Sequence, residues 1–183
     1  MAGSVLAERL ASIGQRVLVV ESRNHIGGNC YDFYDEYGIL VHKYGPHYFR
    51  TDSDEVFGYL SQFTEWHYHE YTVRAKIGNK LYTFPINLNT LREYFGRDFT
   101  EQEARVFIDE IRDKTILVPV NAEEQVLSEI GRELYEAFFK CYTEKQWGML
   151  ATELEPSVTA RVPVRLSADD RYVLGKIQAV PQN

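Results

Sequence analysis

The segment from residue 15 to residue 21 (QRVLVVE) restricts the fold more than any other part of the sequence. Its consecutive aliphatic residues, most of them β-branched, predict a buried strand of a parallel sheet. Before it, residues 4–13 carry apolar side chains at helical spacing, and Gly14 ends that predicted helix. A helix followed by a buried strand that ends in the acidic Glu21 predicts an α/β fold of the doubly wound kind.

The length, composition and charge of the chain exclude several classes of protein. The 183 residues amount to one domain or a little more, at roughly 150 residues per domain. No apolar run approaches the roughly 18 residues of a membrane span, and the N-terminus lacks the pattern of a secretory signal. A net charge of −7 argues against nucleic acid or an anionic membrane as the main partner. Cys30 and Cys141 lie far apart in the sequence, which favours reduced thiols and a cytoplasmic location.

The rest of the sequence predicts short strands and helices without an internal repeat. Hairpins are expected at residues 31–43, around Gly38, and at residues 71–84, around Gly78-Asn79. Helices are expected at residues 53–63, 89–95, 101–111 and about 123–139. After Met149 the prolines predict loop and extended chain.

Gly3 and Glu21 fit two positions of a dinucleotide-binding unit, in which a glycine-rich turn opens a helix and an acid ends the next strand. The glycine lets the helix pack closely on the sheet, and the carboxylate accepts hydrogen bonds from two vicinal ribose hydroxyls. The first strand and the first two glycines of such a unit have no counterpart in the sequence. A generic helix–strand unit is the alternative, and these two residues alone do not separate the two interpretations.

The residues after Glu21 favour nucleotide binding. Arg23 and the run Gly27-Gly28-Asn29 resemble the loop that follows the second strand in many FAD-binding Rossmann proteins. Adjacent glycines let backbone amides approach a diphosphate or an isoalloxazine ring without Cβ clashes. A Gly-Gly pair is common in ordinary turns, so its position after VVE-x-R carries the specificity.

Among the five histidines, His47 has the backbone context that best defines its position, because it follows the rigid Gly45-Pro46 turn and precedes Tyr48. The other histidines are expected on loops or strand faces as polar surface residues. His67 and His69 alternate on one predicted strand without a third ligand, so the sequence predicts no metal site.

Residues 138–148 (FFKCYTEKQWG) combine aromatic side chains with two lysines, in a chain whose aromatic content is 14%. Flat rings can stack on a nucleobase, and the arginines that follow can form paired hydrogen bonds with phosphate oxygens. The alternative is the buried end of an amphipathic helix, and for Phe138 it competes seriously. Trp147 is harder to explain as core, because polar residues flank it.

With these motifs together, the chain resembles the N-terminal half of the bacterial-type UDP-galactopyranose mutases. The matching stretches span nearly the whole chain in the expected order: AGSVLAERLA, VLVVESRNHIGGN, YGPHYFRTD, FPINLNT, ELYEAFFKCYTEKQWG and VPVRL. The FFKCYTEKQWG string is the most specific of them, and it separates this family from generic FAD-dependent amine oxidases.

The resemblance implies an α/β fold in which an FAD-binding Rossmann-like domain, here without its first strand, carries an inserted helical domain and an antiparallel sheet. The expected segments are a partial Rossmann-like domain (1–65), a hairpin of the sheet domain (66–88), a helical substrate-binding insertion (89–150), and a mobile loop that returns to the sheet domain (151–183).

The implied activity is the interconversion of UDP-galactopyranose and UDP-galactofuranose through an adduct at N5 of reduced FAD, with NAD(P)H as a reductant. The expected partners are therefore the two forms of UDP-galactose, without nucleic acid or a membrane span, and assembly as a homodimer is left open. The alternatives are an FAD-dependent oxidoreductase of the amine oxidase type and a non-catalytic UDP-sugar-binding protein.

The resemblance also assigns site residues. Along FAD it places Gly3, Glu21, Arg23, Gly27, Gly28, Asn29, His47 and Tyr48, with His47 beside the flavin as the catalytic residue. For the UDP-sugar it assigns Phe138, Tyr142, Thr143, Trp147, Arg161 and Tyr172, with Arg161 on a mobile loop that closes over the diphosphate.

The chain departs from the family pattern at two positions. Arg50 stands where the family usually has a second histidine, and Cys141 where glycine is frequent. The family's chain is also about twice as long, and its later part supplies further diphosphate and flavin contacts. We therefore expect this chain by itself to bind FAD weakly or not at all and to be inactive.

Overall fold

The computed structural model describes residues 1–182 and divides them between two units. The first unit comprises Met1–Tyr68 together with the C-terminal segment from Lys176, and the second comprises His69–Gly175. This division is coarser than the four predicted segments, which stay a prediction.

The first unit begins with a helix and a hairpin that the sequence predicts. Helix α1 spans Ala2–Ser12, and Gly14 follows its end with a φ of +82°, which favours glycine. Strands β1 (Asp32–Tyr34) and β2 (Leu40–His42) pair antiparallel around the Gly38 turn.

Residues 15–21 lie between these elements and do not form a strand, so the prediction of a buried parallel strand there is wrong for this structure. Leu18 and Val20 are 86% and 82% exposed. Among residues 1–182 all paired strands are antiparallel, and none of them pairs with this segment. A strand requires a neighbour for its backbone hydrogen bonds. The apolar run therefore remains outside any sheet.

Two further strands and a helix complete the N-terminal part of the first unit. Strands β3 (Phe49–Thr51) and β4 (Glu65–Tyr68) flank helix α2 (Asp54–Leu60) in the sequence. Ser53 caps α2 as predicted, because its side chain accepts a hydrogen bond from the Val56 backbone N–H.

The second unit opens with the predicted hairpin of β5 (Val73–Ile77) and β6 (Lys80–Phe84). Gly78 takes a φ of +57° in the two-residue turn, as tight hairpin turns require. Helices α3 (Leu88–Phe95) and α4 (Glu101–Ile111) follow, and both start with reciprocal capping-box hydrogen bonds.

The long helix predicted at residues 123–139 is built from separate pieces. Helix α5 (Ala122–Leu134) continues into a π-helical turn (Tyr135–Lys140) and then into helix α6 (Cys141–Trp147). Gly131 interrupts α5 with φ +80° and ψ 174°, and a Cβ there would overlap the carbonyl oxygen of Ile111. The end of α4 can therefore approach α5 because residue 131 has no side chain.

The segment after Met149 is more ordered than predicted. It contains a 3₁₀ turn (Ala151–Glu153), the short helix α7 (Ser157–Ala160) and strand β7 (Ile177–Gln182). Strand β7 belongs to the first unit, where it pairs antiparallel with both β3 and β4 and forms the centre of a three-stranded sheet.

The large hydrophobic core lies in the second unit. Its fully buried members come from α3, α4, α5 and the segments beside them, and the largest are Tyr135, Phe99, Ile86, Leu91, Ile130 and Leu134. In the described part of the first unit, the buried residues are confined to residues 177–179 of β7. No helix formed by residues 1–182 has the length and apolar character that crossing a membrane requires.

Candidate functional site

The glycine-rich loop of the first unit joins three of the side chains assigned to the cofactor. Glu21 Oε1 accepts a hydrogen bond from the Arg23 backbone N–H at 3.1 Å, and Arg23 Nη2 donates to Asn29 Oδ1 at 2.9 Å. The hydrogen bond from the Arg23 backbone lowers the pKa of the Glu21 carboxyl below its usual value. The loop thus presents an ionised carboxylate next to a guanidinium group, which suits ribose hydroxyls and phosphate oxygens.

Gly27 and Gly28 bend this loop with φ values of +86° and +60°, which strongly favour glycine. A Cβ at Gly28 would lie 3.7 Å from Arg23 Nη1. Gly3 is different, because it lies exposed in α1 and a Cβ there would have no neighbour within 4 Å among the described residues. The loop requires its glycines, whereas the role of Gly3 stays a prediction.

His47 contacts two side chains that the sequence motifs do not single out, Asp32 and His42. These two residues face each other across β1 and β2. His47 Nε2 lies 3.2 Å from Asp32 Oδ1, and the two histidine rings stack with their centroids 4.0 Å apart. The His47 backbone N–H donates to His42 Nδ1 at 3.2 Å. Tyr48 comes next in the chain and is half-buried.

Asp32, His42 and His47 are residue types that bind zinc, and their donor atoms lie within 4.8 Å of one another. The spacing of histidines along the chain does not reveal this cluster, because its members come from two strands and a turn. A metal ion on His42 Nε2 would need a proton on Nδ1, and that nitrogen instead accepts the His47 backbone hydrogen bond. With this hydrogen bond, a neutral His42 carries a proton on Nε2 in place of the lone pair that a metal ion would need.

In the second unit, Trp147 and Arg161 lie in contact. The Arg161 guanidinium carbon is 5.8 Å from the centre of the Trp147 ring, and Trp147 is 45% exposed. Arg161 caps the C-terminal end of α7, so it follows a short helix and not an irregular segment. An exposed indole beside a guanidinium group offers a stacking surface next to a donor for phosphate oxygens.

Phe138 and Thr143 lie inside the second unit, with exposed fractions of 5% and 4%. The Phe138 ring packs edge-on against Tyr82 and Tyr94, with centroid distances of 5.8 and 5.4 Å. These contacts favour the core-packing interpretation of Phe138. A role for either residue in substrate binding stays a prediction.

Tyr142 is 62% exposed because of the π-helical turn that precedes it. Tyr135, Phe138 and Phe139 are buried, and a regular α-helix would place Tyr142, two turns after Tyr135, on the same buried side. In the structure the next buried residue is Thr143 instead. The π-helical turn accommodates one extra residue, so Tyr142 reaches the surface.

Tyr172 lies on a separate segment and contacts different residues. Its backbone N–H donates to the Tyr71 carbonyl oxygen at 2.7 Å, and its ring lies edge-on to Tyr71 at 6.0 Å. The Arg165 guanidinium donates to the carbonyl oxygens of Arg171 and Tyr172. The structure thus joins Trp147 with Arg161, and it holds Tyr172 through backbone hydrogen bonds and the contact of its ring with Tyr71. The proposed contact of Tyr172 with phosphate stays a prediction.

Comparison with known proteins gives matches to both ends of the chain. Residues 1–63 match the family model of the NAD(P)-binding Rossmann-like domain, and residues 137–183 match that of UDP-galactopyranose mutase. A probable UDP-galactopyranose mutase of Klebsiella pneumoniae is 44% identical over 98% of the chain and 47% of its own length. A dTDP-fucopyranose mutase of Escherichia coli is 39% identical over 99% of the chain and 48% of its own length.

A third relative, a UDP-galactopyranose mutase of Mycoplasma pneumoniae, is 32% identical over the full chain and 47% of its own length. The chain therefore spans about half the length of the curated relatives it matches. The match of residues 1–63 confirms the predicted α/β class with a Rossmann-like first part.

Proposed function

We propose, from the premise that this chain belongs to the UDP-galactopyranose mutase family, that it contributes the dinucleotide-binding and nucleotide-sugar-binding segments of an enzyme that interconverts UDP-galactopyranose and UDP-galactofuranose. The observation that carries the proposal is the exposed contact between Trp147 and Arg161, within the residues that match the mutase family model. The names of the relatives favour a mutase over an oxidoreductase of the amine oxidase type.

Each member of this pair suits one part of a UDP-sugar. The indole of Trp147 offers a flat surface for a uracil, ribose or sugar ring. The Arg161 guanidinium can donate two parallel hydrogen bonds to the diphosphate, which is the leaving group when the bond to the anomeric carbon breaks. Holding that diphosphate restricts the position of the anomeric carbon, and such positioning lowers the barrier of the reaction.

We propose FAD as the cofactor of the first unit. The fit rests on the ionised Glu21, on Arg23 and Asn29, and on the positive φ values of Gly27 and Gly28. Glu21 would accept hydrogen bonds from the ribose hydroxyls, the glycine loop would approach the diphosphate, and His47 and Tyr48 would lie near the flavin. When bound there in its reduced form, FAD would supply a nucleophilic nitrogen for the anomeric carbon, and NAD(P)H would supply the electrons that reduce it.

A cytoplasmic location is proposed with this function. Cys30 and Cys141 are both free and exposed, as expected for thiols in a reducing compartment. Assembly as a homodimer stays a prediction.

Calorimetric titration of the purified chain with UDP tests the nucleotide-binding part of the proposal, because every residue it invokes lies in the second unit. Arg161→Ala should weaken UDP binding severalfold or more, and Arg161→Lys should lose part of that affinity because lysine keeps the charge without the paired donors. Arg105→Ala, which removes an exposed arginine of α4, is the matched control and should bind like the unchanged chain.

The same titration with dTDP addresses the choice of nucleotide, since one relative is a dTDP-fucopyranose mutase. Tighter binding of UDP than of dTDP supports the proposed substrate. If the unchanged chain bound neither nucleotide, or if Arg161→Ala bound UDP as well as the control, the assignment of this pair to the nucleotide would be refuted.

A further inference from the structure

We propose that Arg165 is a positioning residue for Tyr172: its guanidinium group fixes the backbone of the segment 165–172 at the end that carries Tyr172. Asp170 fixes the same segment against the start of α3. The role of a fixed Tyr172 in binding the diphosphate rests on the proposed function above. The positioning itself is argued from residues of the second unit alone.

The Arg165 side chain binds the backbone at the far end of its own segment. Its Nη1 donates to the carbonyl oxygen of Arg171, and its Nη2 donates to the carbonyl oxygen of Tyr172 at 2.8 Å. Arg165 is half-buried, and a charged group that leaves water needs such acceptors. The donors of a guanidinium group lie in one rigid plane, so two neighbouring carbonyl oxygens are held at fixed positions together.

The beginning of the segment is bound to the start of α3 through the backbone. The Arg165 N–H donates to the Ile86 carbonyl oxygen at 3.0 Å, and the Leu88 N–H donates to the Ser167 carbonyl oxygen at 3.0 Å. Buried backbone groups of this kind are costly to leave without a partner. The segment 165–172 is therefore attached to residues 86–88 at its beginning and to the Arg165 guanidinium at its end.

Asp170 adds a side-chain attachment to the same region. Its Oδ1 accepts from Asn87 Nδ2 at 2.7 Å and from Asn89 Nδ2 at 3.0 Å. Asn87 is 1% exposed, and its Oδ1 accepts the Thr90 backbone N–H as the cap of α3. Because the oxygen of this amide is engaged in the cap, its nitrogen must face Asp170. The FPINLNT motif thus holds the segment that carries Tyr172.

These attachments leave the Tyr172 hydroxyl available. The Tyr172 N–H donates to the Tyr71 carbonyl oxygen at 2.7 Å, and its ring contacts Tyr71 edge-on. Its hydroxyl forms no hydrogen bond with other residues of the part of the chain that the structure describes. A ring that is held by its backbone and its neighbour, with a free hydroxyl, can donate to a phosphate oxygen without first being ordered.

Amide hydrogen exchange of the 183-residue chain, followed by NMR spectroscopy, tests the positioning directly. Arg165→Ala should raise the exchange rate of the Tyr172 amide about tenfold or more, because two hydrogen bonds from a charged group are lost. The amide of Val126, in α5, should be unaffected. Arg105→Ala, which removes an exposed arginine of α4, is the matched control. If the Tyr172 amide responded no more than in the control, or if the Val126 amide accelerated by the same factor, the positioning role would be refuted.

Two substitutions of Asp170 test the second attachment in the same measurement. Asp170→Ala removes the acceptor of both asparagine amides and should also accelerate exchange at Tyr172. Asp170→Asn retains one acceptor oxygen of the same size and should restore slow exchange. Equal exchange rates in Asp170→Ala and in the unchanged chain would show that Asp170 does not fix the segment.

Calorimetric titration with UDP then separates positioning from direct contact of Arg165 with the nucleotide. Tyr172→Phe and Arg165→Ala should each weaken UDP binding about tenfold, since each removes the same hydrogen bond to a charged group. The double variant should bind UDP no more weakly than Tyr172→Phe alone. A further loss in the double variant would show that Arg165 acts on UDP without Tyr172, and the proposal would be wrong.

The two measurements keep this inference separate from the proposed function. If the unchanged chain bound no UDP, the proposed function would fail, and the exchange rates would still decide whether Arg165 fixes Tyr172. Binding of UDP together with unchanged exchange at Tyr172 in Arg165→Ala would support the proposed function and refute the positioning role.

Discussion

Replacing Gly131 with alanine should destabilise the second unit through a defined steric conflict. The residue lies inside α5 with φ +80° and ψ 174°, a region of backbone conformation that is essentially restricted to glycine. A Cβ there would overlap the Ile111 carbonyl oxygen, lie 2.8 Å from the Ile111 carbonyl carbon and lie 3.3 Å from the Arg112 nitrogen. Since these are backbone atoms, no side-chain rotation can relieve the overlap.

The expected loss has two parts. The backbone conformation costs a non-glycine residue about 1–3 kcal/mol. Forcing an extra carbon into a packed contact costs about 1–3 kcal/mol more. Together they amount to roughly 2–6 kcal/mol, against a total stability of about 5–15 kcal/mol for a typical protein. At about 2–4 °C per kcal/mol for a chain of this size, the melting temperature should fall on the order of 5–20 °C.

Thermal unfolding followed by far-ultraviolet circular dichroism measures this fall, and Gly96→Ala is the matched control. Gly96 ends α3 with φ +63° and ψ 31°, but a Cβ there would have no neighbour within 4 Å among the described residues. The control should therefore lose only about 1–2 kcal/mol from the left-handed conformation. Equal melting temperatures for the two variants would show that the overlap at Ile111 does not determine the stability, and the argument would fail.

Three other predictions follow from the second unit. Trp147→Ala should weaken UDP binding by about 1–3 kcal/mol, by analogy with base stacking, while the melting temperature changes little; calorimetry beside thermal unfolding checks both. Deletion of Lys140 should preserve UDP affinity, because it only removes the extra residue of the π-helical turn. Deletion of Lys145 should instead turn Trp147 by about 100° around the helix axis relative to Thr143, and UDP binding should weaken. The Arg171 hydrogen bonds lower the pKa of Asp169 from 3.8 to about 2, so the stability they provide is present above pH 3.8 and lost as the pH falls toward 2. Asp169→Asn should therefore show a weaker acid dependence of its melting temperature over that range; a dependence as steep as that of the unchanged chain would contradict this cause.

The elements that the sequence predicts well are those with local signals. The capping box at Thr100 and Glu103 places the start of α4 correctly, and Gly78 places the turn of the β5–β6 hairpin. In each case the residues that make the deciding hydrogen bonds lie within a few positions of one another. Local chemistry alone is enough to determine such features.

The elements that the sequence predicts poorly depend on distant residues. The run at residues 15–21 has the composition of a buried strand, but composition does not supply a neighbouring strand. Strand β7 is the opposite case. The sequence predicts only loop and extended chain after Met149, and the strand forms there because it pairs with β3 and β4, which lie far away in the sequence. The break at Gly131 is set by a carbonyl oxygen of α4, and no local pattern in α5 contains that information.

The candidate site shows the same division between local and distant determinants. The Gly-Pro turn before His47 indicates that this histidine is positioned, but its partners Asp32 and His42 are identified only through the register of the hairpin. That register follows from the turn at Gly38: once the strands on either side are paired, Asp32 must lie opposite His42. The signal was therefore present in the sequence, in the pairing of two short strands and not in any motif.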